Sequence, residues 1–472
     1  MATPPRITQN RPSSHKPRAV CELVLDPLGA EDPAVLPQAL RGTPERPLAV
    51  GGGGLLERAV RGRLQRLQRG SLIIRTGGTG GAACDVRYGE SPPQDGEEPE
   101  DGHAHGIAEV HDERFWSALA LRGSVGAGEA YAFGWWTSPE PTDVVRVFVA
   151  NQKALDGLER GLARLSLPLL KAYHLIRDNT RKGSAKNIAA HYDLSNEFFG
   201  LFLDPTMTYS SAVFEHPAAS LEEAQLAKID RLCERLSLHP GDHLLEIGTG
   251  WGAFAIRAAQ KFGCRVTTTT ISKQQHAFAK ERVSSLGLEA QIDVRLQDYR
   301  DLQGSFSKIV SVEMIEAVGA RHYEAYFETC ARLLAPDGAF ACQAITIHDR
   351  YFERARKAVD FIQRHIFPGS CIPSVTSLTD AARDASDLRL VQMEDLGEHY
   401  APTLRLWRDA LRSKWSEAQA LGFEDDFLRL FDFYFAYCEG GFLERHVSVA
   451  HLVFAREGRG FAPRIAAALL PH

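Results

Sequence analysis

The chain has 472 residues, of which 44% are hydrophobic and 24% charged, and its formal net charge is −6. This length allows two or three hydrophobic cores, and the composition is that of a globular protein. The negative charge argues against general nucleic-acid binding. No run approaches the ~20 apolar residues that span a bilayer. The eight cysteines form no C-x-x-C pair, and the sequence shows no cluster of metal ligands. We therefore expect a cytoplasmic protein with reduced thiols and no metal.

The first third of the chain predicts a disordered start followed by a small domain. Residues 1–37 are rich in Pro, Ser and Arg and show no period, which is typical of disorder. Residues 38–150 predict a small α+β domain that associates with lipid. Its predicted elements are a helix from Leu55 to Arg69 and strands at Ser71–Thr76 and Ala83–Tyr88.

Two stretches of this N-terminal half are basic. The Leu55–Arg69 helix carries five arginines around an apolar stripe, and the predicted helical linker at 151–187 carries seven Lys or Arg between Leu158 and Asn187. Each stretch has two interpretations. One is a helix docked on its own domain or a solvated linker. The other is a surface for anionic lipid head groups, where each basic residue adds about 1 kcal/mol.

Residues 188–460 alternate strands with helices, which predicts an α/β domain with a mostly parallel, doubly wound, Rossmann-like sheet. The predicted strands are His243–Ile247, Arg265–Thr269, Ile292–Leu296, Phe306–Val312 and Ala339–Ile345. Sheets of this kind bind their ligands at the carboxyl ends of the strands. We therefore expect the functional residues to follow these strands.

The first of these strands runs into a glycine-rich turn, LLEIGTGWGAFAIRAA. Gly248, Gly250 and Gly252 let the backbone turn sharply and approach a ligand closely, and the next helix begins with free N–H groups. Ala253 stands where a dinucleotide-binding turn has its third glycine. Glu246 can face the ammonium group of an amino acid. The pattern therefore favours S-adenosylmethionine over a dinucleotide.

Residues after the next two strands complete the predicted nucleoside site. Thr270, Ile271 and Gln275 follow the second strand, where hydroxyl and amide groups serve the ribose because no acid is present. Asp298 and Tyr299 follow the third strand. They offer a carboxylate for the adenine amino group and an aromatic face for its ring.

From about Ala185 to Gly458 the chain resembles the cyclopropane-fatty-acyl-phospholipid synthases and the related mycolic acid cyclopropane synthases. The segments that carry the resemblance are HYDLSNEFF, MTYSSAVF, LLEIGTGWG, TTISKQQ, VEMIEAVG, DFIQRHIFPGSCIPS and YFAYCEGGF. The resemblance implies a class I methyltransferase that transfers a methyl group from S-adenosylmethionine to the cis double bond of a phospholipid acyl chain. Proton loss then closes a cyclopropane ring.

The resemblance also implies which residues surround the reacting carbon. In this family a bound bicarbonate takes the proton, held by a Glu, a His, a Tyr and backbone groups. Glu316 matches the Glu, Tyr400 matches the Tyr, and Ile345 matches a backbone ligand. Gln343 stands at the His position, where it can donate a hydrogen bond but cannot act as a base. Ser211 replaces the usual Cys and is expected beside the transferred methyl group.

Three further family positions are less specific. Tyr209 and Ser210 are expected at the cofactor. Cys438 matches a family cysteine with a proposed catalytic role, although a single Cys in an aromatic helix is more often an inert core thiol.

Three functions remain open at this stage. The first is a lipid cyclopropane synthase. The second is a related methyltransferase that adds a methyl or methylene branch to a lipid or methylates an amine. The third is a lipid-binding protein without activity, which the glycine turn and Glu316 argue against. The expected partners are unsaturated phospholipid acyl chains and the anionic inner face of a membrane. The oligomeric state stays open, with a homodimer as one option.

Overall fold

The computed structural model describes residues 53–77, 84–90, 102–155 and 195–456. The predicted disordered start (1–37) and residues 156–187 of the predicted linker lie outside these ranges. Within them, no helix is long and apolar enough to cross a membrane.

The N-terminal part, here called the small domain, is built on a four-stranded sheet. Its elements are α1 (Gly53–Leu64), β1 (Ser71–Thr76), β2 (Cys84–Gly89), β3 (His105–Val110), α2 (Arg114–Ala132), β4 (Trp136–Thr137) and α3 (Pro141–Ala150). The strand order is β2-β1-β3-β4, with β1 antiparallel to β2 and parallel to β3. Both predicted strands are present to within one residue. The predicted first helix ends earlier than expected, at Leu64.

The apolar stripe of α1 faces the small domain itself, because Leu56, Val60 and Leu64 are all buried. Arg61 on the same helix is also held by this domain. Its guanidinium donates to Glu57 at 2.8 Å and to the Tyr88 hydroxyl at 2.9 Å, and it lies over the Trp116 ring at 4.6 Å. The contacts of Arg61 therefore favour the interpretation that this helix is docked on its own domain.

The C-terminal part, here called the catalytic domain, is a seven-stranded sheet covered by helices. Its strands are β5 (His243–Ile247), β6 (Arg265–Thr270), β7 (Ile292–Leu296), β8 (Phe306–Val312), β9 (Leu334–Ile347), β10 (Leu388–Asp395) and β11 (Val447–Arg456). Its helices are α4 (Asn196–Gly200), α5 (Leu221–Arg235), α6 (Ala253–Phe262), α7 (Lys273–Ser285), α8 (Ile315–Val318), α9 (Tyr323–Leu333), α10 (Asp349–Ala355), α11 (Phe361–His365), α12 (Val375–Ala385), α13 (Tyr400–Ser413), α14 (Trp415–Ala420) and α15 (Asp425–Leu443).

The strand order is β10-β11-β9-β8-β5-β6-β7, in which the five strands from β9 to β7 are parallel and β11 is antiparallel to both its neighbours. The predicted mostly parallel α/β sheet is confirmed, and all five predicted strands are present. Neighbouring residues of β5 point to opposite faces: Leu244 joins one apolar core and Leu245 the other. Helices therefore cover both faces of the sheet.

A buried ion cluster joins the small domain to the catalytic domain. Arg408 on α13 is 1% exposed. Its guanidinium donates to Asp432 on α15 at 3.1 Å, and to Glu140 and Thr142 at the start of α3 at 2.6 and 2.9 Å. Glu439 on α15 accepts from the Thr142 hydroxyl at 2.7 Å. The cluster fixes α15 between the two domains.

We predict that Arg408→Met lowers the free energy of unfolding by about 3 kcal/mol, because it removes the buried cation of the cluster and leaves its carboxylates only the partly exposed Arg405 and Arg412. Denaturant unfolding measures this change. The control is Arg383→Met: Arg383 pairs with Asp380 and Asp384, but its side chain is 67% exposed. That variant should change stability by less than about 1 kcal/mol. Equal effects of the two substitutions would contradict the role given to the cluster.

Candidate active site

The predicted glycine turn joins β5 to α6 and has the expected backbone. Gly248, Gly250 and Gly252 have φ angles of 106°, 51° and 89°, a region that side-chain-bearing residues rarely adopt. The Gly248 and Thr249 N–H groups both donate to the Thr269 carbonyl at the end of β6, at 3.0 and 3.1 Å. A Cβ placed on Gly250 would meet no atom within 4 Å. The turn therefore presents bare backbone to an open cavity.

Glu246, the last-but-one residue of β5, is placed to receive a cation in that cavity. It is 4% exposed, and its Oε2 has no hydrogen-bond partner among the described residues. Burial raises the pKa of its carboxyl to about 8. A ligand ammonium beside it would favour the charged form and provide the missing partner.

The residues predicted for the ribose and adenine line the same cavity, at the carboxyl ends of β6 and β7. The Thr270 hydroxyl donates to the Gln275 amide oxygen at 2.9 Å, and Ile271 lies between them along the chain. Asp298 holds Arg300 through two side-chain bonds of 2.9 and 2.6 Å, and the Tyr299 ring packs edge-on against Tyr326. Arg300, which the sequence did not single out, therefore shares the wall with Asp298.

The cavity has a volume of about 490 Å³ and extends from the glycine turn into an apolar, aromatic region. Tyr209 and Tyr434 meet there through their hydroxyls at 3.1 Å, and Tyr209 also packs on Trp407 at 5.2 Å. Cys438 on α15 lines this region, and burial raises the pKa of its thiol far above the usual value. A neutral, buried thiol is a poor nucleophile.

Glu313, directly after β8, is the residue that the sequence reasoning missed. It has a φ of 47°, which is unusual for a non-glycine residue. Its Oε1 accepts from the Ser211 N–H and from the Gln343 amide, both at 2.8 Å, and its Oε2 accepts from the Tyr400 hydroxyl at 2.8 Å. These donors come from three separate segments of the catalytic domain. They hold the Glu313 carboxylate in the cavity wall.

Burial raises the pKa of Glu313, while the Lys228 charge and the three hydrogen bonds oppose that shift. Glu316 on α8 lies nearby and lacks such support. Its Oε1 accepts from the Ile345 N–H, at 2.5 Å, and its Oε2 has no partner among the described residues. Burial and the Glu313 charge raise the pKa of Glu316 to about 8. Of the two carboxyls, Glu313 has the donors and the nearby cation that favour the charged form, whereas Glu316 lacks them and its neutral form is favoured.

Gln343 and Ser211 contact Glu313 but do not themselves line the cavity. The Gln343 amide donates to Glu313 and to the Ser211 carbonyl, and its oxygen accepts from His451 at 2.8 Å. The Ser211 hydroxyl donates to the Ala212 carbonyl, so only its backbone N–H serves the site. Ser211 was expected beside the transferred methyl group, but its hydroxyl is turned into the protein.

Ser210 and Lys228 form a second buried polar pair near Glu313. The Lys228 ammonium donates to the Ser210 hydroxyl at 2.6 Å, and burial lowers the pKa of Lys228 to about 8 although Glu313 and Asp204 oppose the shift. Ser210 therefore contacts Lys228 as well as the cavity. Lys228 carried no signal in the sequence, because one lysine on an amphipathic helix resembles any surface residue.

A mostly parallel sheet has a left-handed glycine turn at its topological switch, and two residues before that turn lies a buried carboxyl with one unpartnered oxygen. These features indicate an S-adenosylmethionine-dependent methyltransferase. The family model described as mycolic acid cyclopropane synthetase matches residues 179–452. The chain belongs to this family, and its cofactor is S-adenosylmethionine, as the sequence predicted.

Three relatives illustrate the similarity. The tuberculostearic acid methyltransferase UfaA1 of Mycobacterium tuberculosis is 38% identical over 373 residues, which cover 76% of this chain and 87% of that protein. The cyclopropane-fatty-acyl-phospholipid synthase of Escherichia coli is 33% identical over 359 residues, covering 75% and 89%. The solved structure of mycolic acid cyclopropane synthase CmaA1 with SAH and CTAB is 34% identical, with a TM-score of 0.52 over 57% of this chain and 97% of that one.

We predict that Gly250→Val abolishes cofactor binding, because the added side chain enters the cavity that the bare turn leaves open. Calorimetric titration with S-adenosylhomocysteine measures this. Gly287→Val is a matched control: Gly287 also has a positive φ, of 66°, and open space around its Cβ, but it lies outside the cavity. Both variants share the backbone strain. Unchanged affinity in Gly250→Val would remove the turn from the site.

Proposed function

We propose that the chain methylates the cis double bond of an unsaturated phospholipid acyl chain and closes a cyclopropane ring there. The observation that carries the proposal is the Glu313 carboxylate, held by three donors in the wall of an apolar cavity that also contains the glycine turn. A fixed negative charge is costly in such a place. It suits a reaction that develops positive charge on carbon.

An alkene is a weak nucleophile, and S-adenosylmethionine supplies the electrophilic methyl group that it attacks. The chain's own residues provide a dry cavity and aromatic faces near the carbon that becomes positive. Tyr209, Tyr434 and Tyr400 surround that region, and aromatic faces attract cations. The Glu313 charge opposes the new positive charge across a medium of low dielectric constant.

Glu313 is also the proton acceptor in this proposal. Removal of a proton from the newly added methyl group leaves its C–H electron pair to form the third ring bond, and the proton passes to the carboxylate. Glu313 Oε2 accepts one hydrogen bond, from Tyr400, whereas Oε1 accepts two. Because Oε2 accepts fewer hydrogen bonds, it has more lone-pair capacity left. We therefore assign the proton to Oε2.

This arrangement replaces the bicarbonate that the family resemblance implied. The groups expected to hold bicarbonate are engaged by protein carboxylates: Gln343 and Tyr400 bind Glu313, and the Ile345 N–H binds Glu316. With the base built into the chain, turnover does not depend on added bicarbonate.

A second outcome at the same site is a methyl or methylene branch instead of a ring. The 38% identity to a protein named as a tuberculostearic acid methyltransferase favours it. The two outcomes diverge after methyl transfer. Loss of a methyl proton directly to Glu313 closes the ring, with the C–H pair forming the ring bond to the cationic carbon. A 1,2-hydride shift that first moves the cation to the methylated carbon, followed by loss of a methyl proton, leaves a methylene branch, and loss of a proton from a chain carbon leaves a methyl-branched alkene. Both require an acyl chain drawn from a lipid, so we include docking at an anionic membrane surface in the proposal. Exposed Arg58 and Arg66 on the small domain are among the residues available for it.

Mass spectrometry of lipids from cells that express the chain tests the proposed product. We expect phospholipid acyl chains that gain one CH2 unit and lose the alkene signal, since a ring consumes the double bond. Cells that carry Gly250→Val are the matched control. A gain of CH2 with retained unsaturation would establish the methylene branch, and unchanged acyl chains would refute both products.

Substitution of the two neighbouring carboxyls tests the base. Glu313→Gln keeps the shape but removes the charge and the proton acceptor, so turnover should fall by about 10² or more. Glu316→Gln replaces a carboxyl that is already neutral, so turnover should fall less than about tenfold. The measurement is turnover on vesicles of unsaturated phospholipid in bicarbonate-free buffer, with S-adenosylhomocysteine affinity as the check on folding. The reverse order of the two losses would assign the base to Glu316.

A further inference from the structure

The small domain contributes to the cavity that holds the reacting groups. Ser124 on α2, Val149 on α3 and Gln152 just after α3 line the same 490 Å³ space as the glycine turn and Glu313. The far end of this cavity is therefore formed by the small domain and by α15, which carries Tyr437.

A second cavity, of about 130 Å³, lies inside the small domain. It shares four lining residues with the first: Ser124, Val149, Gln152 and Tyr437. The two spaces therefore meet at these four side chains. The rest of the second wall is almost entirely apolar and includes the rings of Phe115, Trp116, Trp136 and Phe148.

The helix α2 is interrupted where the two cavities meet. Gly123, next to Ser124, interrupts the helix with φ 54° and ψ −130°, a conformation that residues with a side chain avoid. Gly123 is buried and lines the second cavity. Protein interiors are normally packed without voids of this size. A broken helix beside an open apolar space indicates a space that receives a ligand.

We propose that this second cavity receives the methyl end of the substrate's acyl chain and so measures the length of chain beyond the double bond. The inference rests on the proposed function for the identity of the chain. A carboxylate or phosphate end does not fit, because the wall offers no charged partner and burial of an unpaired charge is prohibitive. The apolar end of the chain is the part that matches.

Binding is tested without turnover by fluorescence quenching of Trp116 and Trp136, both 2% exposed and both in the second wall. The probe is vesicles of phosphatidylglycerol with stearoyl chains that carry bromine either at the methyl end or beside the carboxyl group. We expect quenching by the methyl-end bromine only. The double variant Trp116→Phe/Trp136→Phe, which should lose that quenching, identifies the responsible indoles. Absence of quenching, or equal quenching by both probes, overturns the proposal.

The preference of the enzyme for acyl chains of different length is the second test of the proposal. Ala127 lines the second cavity, so Ala127→Phe should lower kcat/KM for oleoyl chains by about tenfold relative to myristoleoyl chains, whose double bond is equally far from the carboxyl group. Phe148→Ala, which enlarges the cavity, should shift the preference toward longer tails. Ala59→Phe, on the exposed side of α1, is the control and should leave the preference unchanged.

The two arms separate the tail site from the reaction. Methyl-end quenching without any lipid product refutes the proposed reaction and leaves the tail site standing. Lipid product without quenching, or an equal loss for every chain length in Ala127→Phe, refutes the tail site and leaves the reaction standing. Binding of S-adenosylhomocysteine with parental affinity shows that each variant is folded.

Discussion

The burial of one carboxylate, that of Glu313, is the constraint on which the active site depends. A charge in an apolar wall is tolerated only with several donors, and each donor here has its own support. Gln343 on β9 is held by His451 on β11, and Tyr400 begins α13. Burial lowers the pKa of His451 to about 3, so it stays neutral and donates through Nε2 to Gln343. The antiparallel strand β11 therefore supports the Glu313 carboxyl through Gln343.

The small domain is bound to this site through α15. One face of that helix carries Asp432 and Glu439, which join the buried ion cluster with Arg408. Another part of the same helix carries Tyr434 and Cys438 in the cavity wall. Displacement of α15 would therefore break the ion cluster and open the cavity together. The cluster lies within an apolar core that the small domain shares with α13 and α15, and its hydrogen-bond geometry favours one arrangement of α15.

The sequence predicted the parallel core of the fold well, because buried parallel strands and the glycine turn have strong local signals. It missed β10 and β11, whose antiparallel pairing has no βαβ pattern, and it did not single out Glu313. VEMIEAVG contains two glutamates, and the family resemblance directed attention to Glu316. The left-handed backbone of Glu313 has no sequence signal in a residue other than glycine or asparagine. The hydrogen-bond partners of Gln343 lie on distant segments of the chain, so they could not be predicted from the residues next to it in the sequence.

The carboxyls that line the cavity differ in the hydrogen-bond donors they have. This difference determines for which of them the charged form is favoured. Glu246 and Glu316 each have an unpartnered oxygen and a pKa near 8, so both are largely neutral at pH 7 when no cation faces them. Glu313 has three donors and a nearby lysine ammonium. A ligand ammonium beside Glu246 lowers the pKa of that carboxyl and releases its proton. The charged form of Glu246 is thus favoured by a bound cation, whereas the charged form of Glu313 is favoured by the chain's own donors and by Lys228.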